Sequence, residues 1–294
     1  MRALITGGRG FVGAHLAAHL SACGDEVTSI DIERDVADVD AMAQVIGDVQ
    51  PEAIYHLAAI SHVGQSWDDP TAVLRVNVLG TAAVLAAARK LVPAATTLLV
   101  SSAEVYGVVA ANELPLSERS ETRPASPYAA SKLAAEAVAL QAFRGYAQRV
   151  LVARSFNHFG PGQSQNFFVP AIASRLLAAK AEGRRDVVVG NLSSRRDFTD
   201  VRDVVRAYRL LVEKAASGEI YNVASGVDRS MQEIANALRD AVDPTINFVA
   251  DAALMRPADI PVLRGDATKV RTATGWSPSY LFADTLADVV NSLR

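Results

Sequence analysis

Arg2-Ala3-Leu4-Ile5-Thr6-Gly7-Gly8-Arg9-Gly10-Phe11-Val12-Gly13 follows the first methionine. Arg2–Ile5 reads as a strand, glycines stand at 7, 10 and 13, and Phe11–Ser21 carries apolar residues at helical spacing. Glycine permits the tight turn and lets backbone N–H groups approach a pyrophosphate, while the helix N-terminus is partially positive. A glycine pattern alone also fits an ordinary structural turn. Its place between strand and helix is what predicts a dinucleotide site contacted by Gly7, Gly10, Phe11, Val12 and Gly13.

The pattern continues outward. Further strands are expected at Glu26–Ile32, Ala53–Leu57, Thr97–Ser101 and Arg149–Arg154, with helices between them, notably Thr71–Leu91 and Ser131–Phe143. Strands alternating with helices predict an α/β, Rossmann-type, doubly wound parallel sheet. After Asn157 the pattern loosens. Short strands are expected at Asp186–Val189 and Ile220–Val223, and helices at Val169–Ala181, Val201–Glu213 and Met231–Ala241. Residues 1–156 should form the main NAD(P)-binding part. Residues 157–294 should form mainly a smaller substrate-binding lobe, with segments returning to the first.

Asp31 closes the second strand, 18 residues after Gly13, where a carboxylate would bond the adenosine ribose hydroxyls. The plainer alternative is a strand-end turn former. Asp35-Val36 follow almost at once, without the helix and strand that often separate two such acids. An abbreviated adenine side is expected. Asp31 should repel a 2′-phosphate and favour NAD(H), while Arg9 and Arg34 keep NADP(H) open.

Tyr128-Ala129-Ala130-Ser131-Lys132 places a phenol and an ammonium four apart, on one helical face. The ammonium is expected to lower the phenol pKa and to reach a nicotinamide ribose. Such a phenol can exchange a proton with a sugar oxygen. Ser101-Ser102-Ala103-Glu104-Val105-Tyr106-Gly107 ends the fourth strand, at the sheet edge where ligands sit. One serine there is ordinary capping. Serine, tyrosine and lysine together are specific.

Bulk properties exclude several classes. Lys and Arg number 29 against 32 Asp and Glu, a net charge of -3, without the basic excess of a nucleic-acid binder. No run of about 20 apolar residues is evident, and the start lacks a signal-peptide layout, so the expectation is a cytoplasmic protein without membrane contact. Cys23 reads as a small buried hydrophobe. His15 and His19 are four apart but lack the glutamate of a zinc motif, and no metal is expected.

With these residues in view, the chain resembles the extended short-chain dehydrogenase/reductase family over nearly its whole length. The glycine loop, His56-Leu57-Ala58-Ala59, Asn77-Val78-Leu79-Gly80-Thr81, the Ser101–Gly107 segment and Tyr128–Lys132 carry the resemblance. It implies Ser102, Tyr128 and Lys132 as the catalytic triad, Ser102 being preferred over Ser101 because it lies four before Tyr106. It implies Leu57, Ala58, Ala59, Asn77, Asp35 and Val36 beside the cofactor, and a homodimer built on a four-helix bundle.

In the second half, Ser155–Ser164, Val189–Leu192, Arg196–Asp203, Leu254–Pro261 and Gly275-Trp276 resemble reductases that turn GDP-4-dehydro-6-deoxy-mannose into GDP-rhamnose. Arg196 and Arg256 are expected to close on one diphosphate, because guanidinium forks match phosphate oxygens. Arg154, Arg175 and Arg195 are next in line. Asp259, Asn157, Asn191, Val169 and Ser61 complete the expected substrate contacts, each also readable as a surface or turn residue. Glu104 matches a glutamate of nucleotide-sugar dehydratases, yet reductases carry it too. The leading expectation is a 4-ketoreductase of a GDP-sugar. The alternatives are a GDP-mannose 4,6-dehydratase or a nucleotide-sugar 4-epimerase with tightly held NAD, and, further off, a non-catalytic dinucleotide-sensing scaffold.

Overall fold

The computed structural model describes residues 1–251 and 260–294. Its main sheet has six strands in the order β2-β1-β3-β4-β5-β9. They are β1 (Arg2–Thr6), β2 (Glu26–Ile30), β3 (Ala53–His56), β4 (Thr96–Ser102), β5 (Arg149–Ser155) and β9 (Ile220–Val223). Every neighbouring pair is parallel, so each connection must cross over the sheet. Strands β1, β3, β4 and β5 are buried along almost their whole length. That is why they read as near-continuous apolar runs rather than alternating ones.

Helices cover both faces. On one side α1 (Phe11–Ala22), α7 (Val201–Lys214) and α9 (Thr268–Thr274) supply Leu16, Leu20, Val204, Tyr208 and Val270, joined by Trp276. On the other, α2 (Val39–Val49) and α4 (Gly80–Leu91) bury Met42, Ile46, Val84 and Ala88 against Leu4 and Ile54. Beside them α5 (Pro127–Tyr146) packs Ala135, Ala139 and Ala142 on Leu99, Val150 and Val152. Small residues on α5 let it lie close to the sheet. Ser126 caps it, its Oγ accepting from the Ala129 N–H at 3.1 Å, and Pro127 occupies the first turn. That cap starts the helix four residues earlier than the apolar pattern predicts and puts Tyr128 in its opening turn.

A second core lies in the lobe. It joins α6 (Phe168–Ala181), α8 (Met231–Val242) and α10 (Phe282–Ser292) through Val169, Leu176, Ile234, Leu238, Leu286 and Val289. Small sheets flank it: β10 (Asp228–Ser230), β8 (Arg195–Asp200) and β12 (Val262–Leu263) in one, with β6 (Asn157–Phe159) also on β8, and β11 (Asn247–Ala250) with β7 (Asp186–Val189) in another. The expected strand at Ile220–Val223 belongs to the main sheet, not the lobe.

Other expectations need correction. Strand β2 stops at Ile30, and Ile32 is 92% exposed. Among the described residues no strand lies beyond β2, and the chain turns through residues 31–38 before α2, as the missing insert implied. Cys23 caps α1 and is exposed, so it is no core residue. The helical run Pro70–Leu91, comprising α3 (Pro70–Leu74), a π-helical turn Arg75–Leu79 and α4, is long and apolar enough to span a bilayer. Half of its most apolar 18-residue window is buried inside the fold, which accounts for its composition.

Candidate active site

A cleft of about 1090 Å³ opens along the C-terminal ends of β1, β2, β3, β4 and β5 and is closed from the far side by the lobe. This is the edge where parallel sheets bind ligands.

The glycine loop forms one end. Gly7 has φ +73°, and a Cβ there would stand 2.8 Å from the Ala58 nitrogen. A Cβ on Gly13 would meet the Gly7 carbonyl at 2.2 Å. Both positions therefore require glycine for conformation or close packing. Helix α1 starts at Gly10 with no side-chain cap and no acid in its first turn. Gly7, Gly10, Phe11, Val12 and Gly13 all line the cleft. Uncapped N–H groups at the start of a twelve-residue helix, facing a cleft, fit a pyrophosphate.

Asp31 lines the next stretch. Its carboxylate accepts from the Arg9 N–H at 2.8 Å and from the Ile32 N–H at 2.8 Å, which ties the β2 end to the glycine loop. The Arg9 guanidinium is paired with Glu33. Asp35 accepts from the Ala37 N–H and pairs with Arg75. Together these bonds hold its carboxyl below the ordinary range. Val36 packs at Gly80, where a Cβ would stand 2.8 Å from its Cγ2. Leu57, Ala58, Ala59 and Ser61 form the wall after β3.

Asn77 supports the site from behind and does not itself line the cleft. It is buried behind that wall, where its Oδ1 accepts from the Ile60 N–H at 2.9 Å and its Nδ2 donates to Ser131 Oγ at 2.8 Å. The π-helical turn directs it inward, so it braces the β3 loop against α5 instead of lining the cleft.

The floor is made by β4 and α5. Ser102 and Tyr128 both face the cleft, where Ser102 Oγ accepts from the Glu104 N–H at 3.2 Å, and Lys132 Nζ donates to the Val100 carbonyl at 2.8 Å. Ser101 turns away and donates to Glu136 Oε1 at 2.5 Å, which separates the two serines by partner. Glu104 stands at the cleft beyond Ser102. Burial outweighs the lowering expected from Lys132. The Tyr128 phenol is pushed up to about 12 by burial, the nearby Ser102 hydroxyl opposing that rise and the Glu104 charge adding to it. Burial also pushes Lys132 down to about 8, against the opposing pull of Glu136. His56 is pushed down to about 3 by burial, with Lys132 adding to the effect, and shares a 2.7 Å bond with Thr6 Oγ1.

On the lobe side, Asn157, Asn191 and Arg196 line the cleft. Arg196 Nη1 donates to the Ile260 carbonyl at 2.6 Å and to its neighbour's carbonyl at 2.9 Å. Arg256 and Asp259 lie outside the described residues. Val169 does not line the cleft. It is buried in the lobe core, because Phe168, Ala171, Ile172 and Arg175 present the cleft-facing stripe of α6 at helical spacing and Val169 falls out of phase. That spacing is the signal that finds Phe168 and Arg175. His62 and Phe167 meet edge-on with ring centroids 6.1 Å apart, bringing the two sides together at the mouth. Of the reserve arginines, Arg154 is buried against Glu136, Arg195 pairs with Asp228, and only Arg175 faces the cleft. His15 Nε2 is spent on the Pro161 carbonyl at 2.9 Å.

Comparison with known proteins agrees with this architecture. The family model described as GDP-mannose 4,6 dehydratase matches residues 30–289. GDP-6-deoxy-D-mannose reductase of Pseudomonas aeruginosa is 36% identical over 294 residues, covering 99% of this chain and 96% of that protein. The solved structure of RMD from Pseudomonas aeruginosa complexed with NADPH superposes with a TM-score of 0.90 at 35% identity, over 100% of this chain and 99% of that one. UDP-glucose 4-epimerase of Thermus thermophilus, complexed with NAD, superposes with a TM-score of 0.89 at 27% identity, over 100% and 99%. On the strength of the cleft, the sheet order and these matches, the chain belongs to the GDP-mannose 4,6-dehydratase-like branch of the extended short-chain dehydrogenase/reductases.

Proposed function

We propose that this protein reduces the 4-keto group of a GDP-linked 6-deoxyhexose, converting GDP-4-dehydro-6-deoxy-D-mannose to GDP-D-rhamnose with a reduced nicotinamide cofactor. The observation that carries the reading is Ser102, Tyr128 and Lys132 side by side on the floor of a cleft that runs from the glycine loop to the lobe. Its kinship with the Pseudomonas reductase supports it. Residues 1–156 serve mainly the cofactor and 157–294 mainly the sugar nucleotide, with β9, α7 and α9 returning to the main sheet.

Gly7, Gly10 and the start of α1 at Phe11, Val12 and Gly13 hold the pyrophosphate, Asp31 the adenosine ribose, and Asp35, Val36 and Leu57–Ala59 the adenine side. When bound, the reduced nicotinamide supplies hydride to the ketone carbon. Tyr128 gives its proton to the ketone oxygen, and Ser102 orients that oxygen by hydrogen bonding. Lys132 holds the ribose and supplies positive charge as the phenolate forms, which favours proton release. Asn77 positions the wall through Ile60 and Ser131. Ser61, Asn157 and Asn191 contact sugar or phosphate oxygens, and Arg196, with Arg256, holds the diphosphate. NAD(H) is the favoured cofactor: Asp31 disfavours a 2′-phosphate and Glu33 occupies Arg9. NADP(H) is the alternative, through Arg34.

A second reading, 4,6-dehydration or 4-epimerisation with retained NAD, is favoured by Glu104 at the cleft and by the family model itself. Incubating the protein separately with GDP-4-dehydro-6-deoxy-D-mannose plus NADH or NADPH, with GDP-mannose, and with UDP-glucose decides between them. Turnover of the first alone supports the reductase. Turnover of either other sugar without added cofactor selects the second reading. We further propose a cytoplasmic homodimer through a four-helix bundle of the Pro70–Leu91 run and α5, supported by the exposed Leu74, Leu79 and Tyr146 and by a shallow hollow along α5 lined by Leu133, Ala137 and Leu140.

A further inference from the structure

Two consecutive residues of β4 grip two residues on one face of α5. The Val100 carbonyl accepts from Lys132 at 2.8 Å and Ser101 donates to Glu136 at 2.5 Å, while Ser102, the next residue, faces the cleft with Tyr128. Tyr128, Lys132 and Glu136 lie four apart, so they share that face. Glu136 is buried and takes no part in the proton transfer described above. Arg154 of β5 holds its carboxylate, with Nε at 2.9 and 3.2 Å from the two oxygens and Nη2 at 2.7 Å. The Arg154 guanidinium in turn lies 4.9 Å from the Tyr106 ring centroid, and the Tyr106 hydroxyl donates to Asn222 of β9 at 2.7 Å. One ion pair thus ties α5 to β4, β5 and β9 directly behind the catalytic floor.

Stability alone is a weak reason for such a pair, because apolar replacements of buried ion pairs are often neutral or stabilising. Its position relative to Lys132 gives a better one. The charged or titratable groups around Lys132 are Tyr128 and Glu136 on its own helix and His56 from β3, with Glu104 beyond Tyr128 and Arg154 of β5 behind Glu136. Burial keeps His56 neutral, and β4 contributes only a carbonyl and hydroxyls. Glu136 is the anion that opposes the loss of the Lys132 charge.

We propose that Glu136 is a positioning residue: gripped by Ser101 and Arg154, it holds Lys132 as an ammonium and fixes the β4–α5 register that sets Ser102 against Tyr128. The inference rests on the assignment of Lys132 to cofactor binding. Its test is nicotinamide fluorescence, read as the Kd for NADH and NADPH against pH, with Tm measured at each pH, for the wild type and three variants. Wild-type affinity should fall as pH rises through the Lys132 titration. In Glu136→Gln the midpoint of that fall should move to lower pH by about one unit, the effect of removing a nearby opposite charge. Glu136→Asp keeps the charge and should keep the midpoint even where Tm drops. Glu136→Gln with Arg154→Gln removes both members of the ion pair, so that neither is left without the other; it should regain Tm while retaining part of the acid shift. An unchanged midpoint in the folded Gln variants would reduce Glu136 to a structural ion pair and overturn the proposal. Failure of the wild type to bind either dinucleotide at any pH would overturn the functional reading, and this inference with it.

Discussion

Tyr128, Lys132 and their neighbour Glu136 come from one helix, and consecutive positions of one strand, Val100 and Ser101, bond Lys132 and Glu136. The lobe side of the same cleft is assembled from β6, α6, the loop after β7, β8 and α8, through Asn157, Phe168, Asn191, Arg196 and Met231. The floor depends on local periodicity and one strand–helix register. The lobe depends on long-range packing between short elements. Chemistry that must hold a phenol and an ammonium within reach of one another sits on the first kind of structure. Recognition of a particular sugar nucleotide sits on the second.

The comparison predicts that the largest loss of turnover comes from the floor. Tyr128→Phe should lower kcat by about 10²–10⁴, the usual worth of a positioned proton donor. Tm and the affinity for GDP should stay near the wild type, because the aromatic ring remains and only the hydroxyl is lost. Near-normal turnover would break the assignment. Lys132→Met should weaken cofactor affinity and kcat together, since one side chain has both tasks; a change in only one of them would separate the tasks.

Changes in the lobe should move KM instead. Arg196→Ala should raise KM for the sugar nucleotide roughly ten- to a hundredfold, the scale of a lost charge-assisted contact, with the nicotinamide Kd unchanged. Arg196→Lys should recover only part, because an ammonium lacks the bidentate fork. The bonds from Arg196 to two backbone carbonyls mean that Tm should fall as well. If KM is constant while Tm falls, Arg196 is a brace for Ile260, and Arg175 becomes the residue to replace.

A smaller effect separates the two faces of α6. Val169→Ala should lower stability by about 1–3 kcal/mol through lost burial, with kcat and KM unaltered. Phe168→Ala should alter KM with less effect on stability, because Phe168 is at the cleft. Equal kinetic effects at both positions would erase the distinction between core and cleft faces. Smallest of all, Asp31→Asn should reduce the preference for NADH over NADPH, read as a ratio of kcat/KM values; Glu33→Gln, which frees Arg9, should act in the same direction.

The same contrast explains what the sequence makes legible. The glycine loop and the Ser102, Tyr128 and Lys132 set announce themselves because each is a short pattern whose spacing matches its element. Asn77 illustrates a limit: its motif is visible, but the π-helical turn that points it at Ile60 and Ser131 has no signature in the pattern. Val169 shows another, since adjacent positions on α6 face opposite ways and only the packed lobe tells which face meets the cleft. Cys23 is small and follows an apolar helix, yet the turn that caps the helix leaves it at the surface. Strands β6, β8, β10, β11 and β12 escape sequence reading because they are two to six residues long and owe their pairing to distant partners. The partner of Ser101 is equally invisible until β4 and α5 are brought together.

The most direct test of the reductase reading is stoichiometric. The purified protein, stripped of retained nucleotide, is mixed with GDP-4-dehydro-6-deoxy-D-mannose and a small excess of NADH or NADPH, and cofactor oxidation is followed by absorbance while the sugar nucleotides are separated. One reduced nicotinamide should be consumed for each ketone lost and for each GDP-6-deoxyhexose formed. Conversion of a nucleotide sugar with no net oxidation of the cofactor would contradict the reductase reading and show that the same floor serves a reaction that returns its hydride to the sugar.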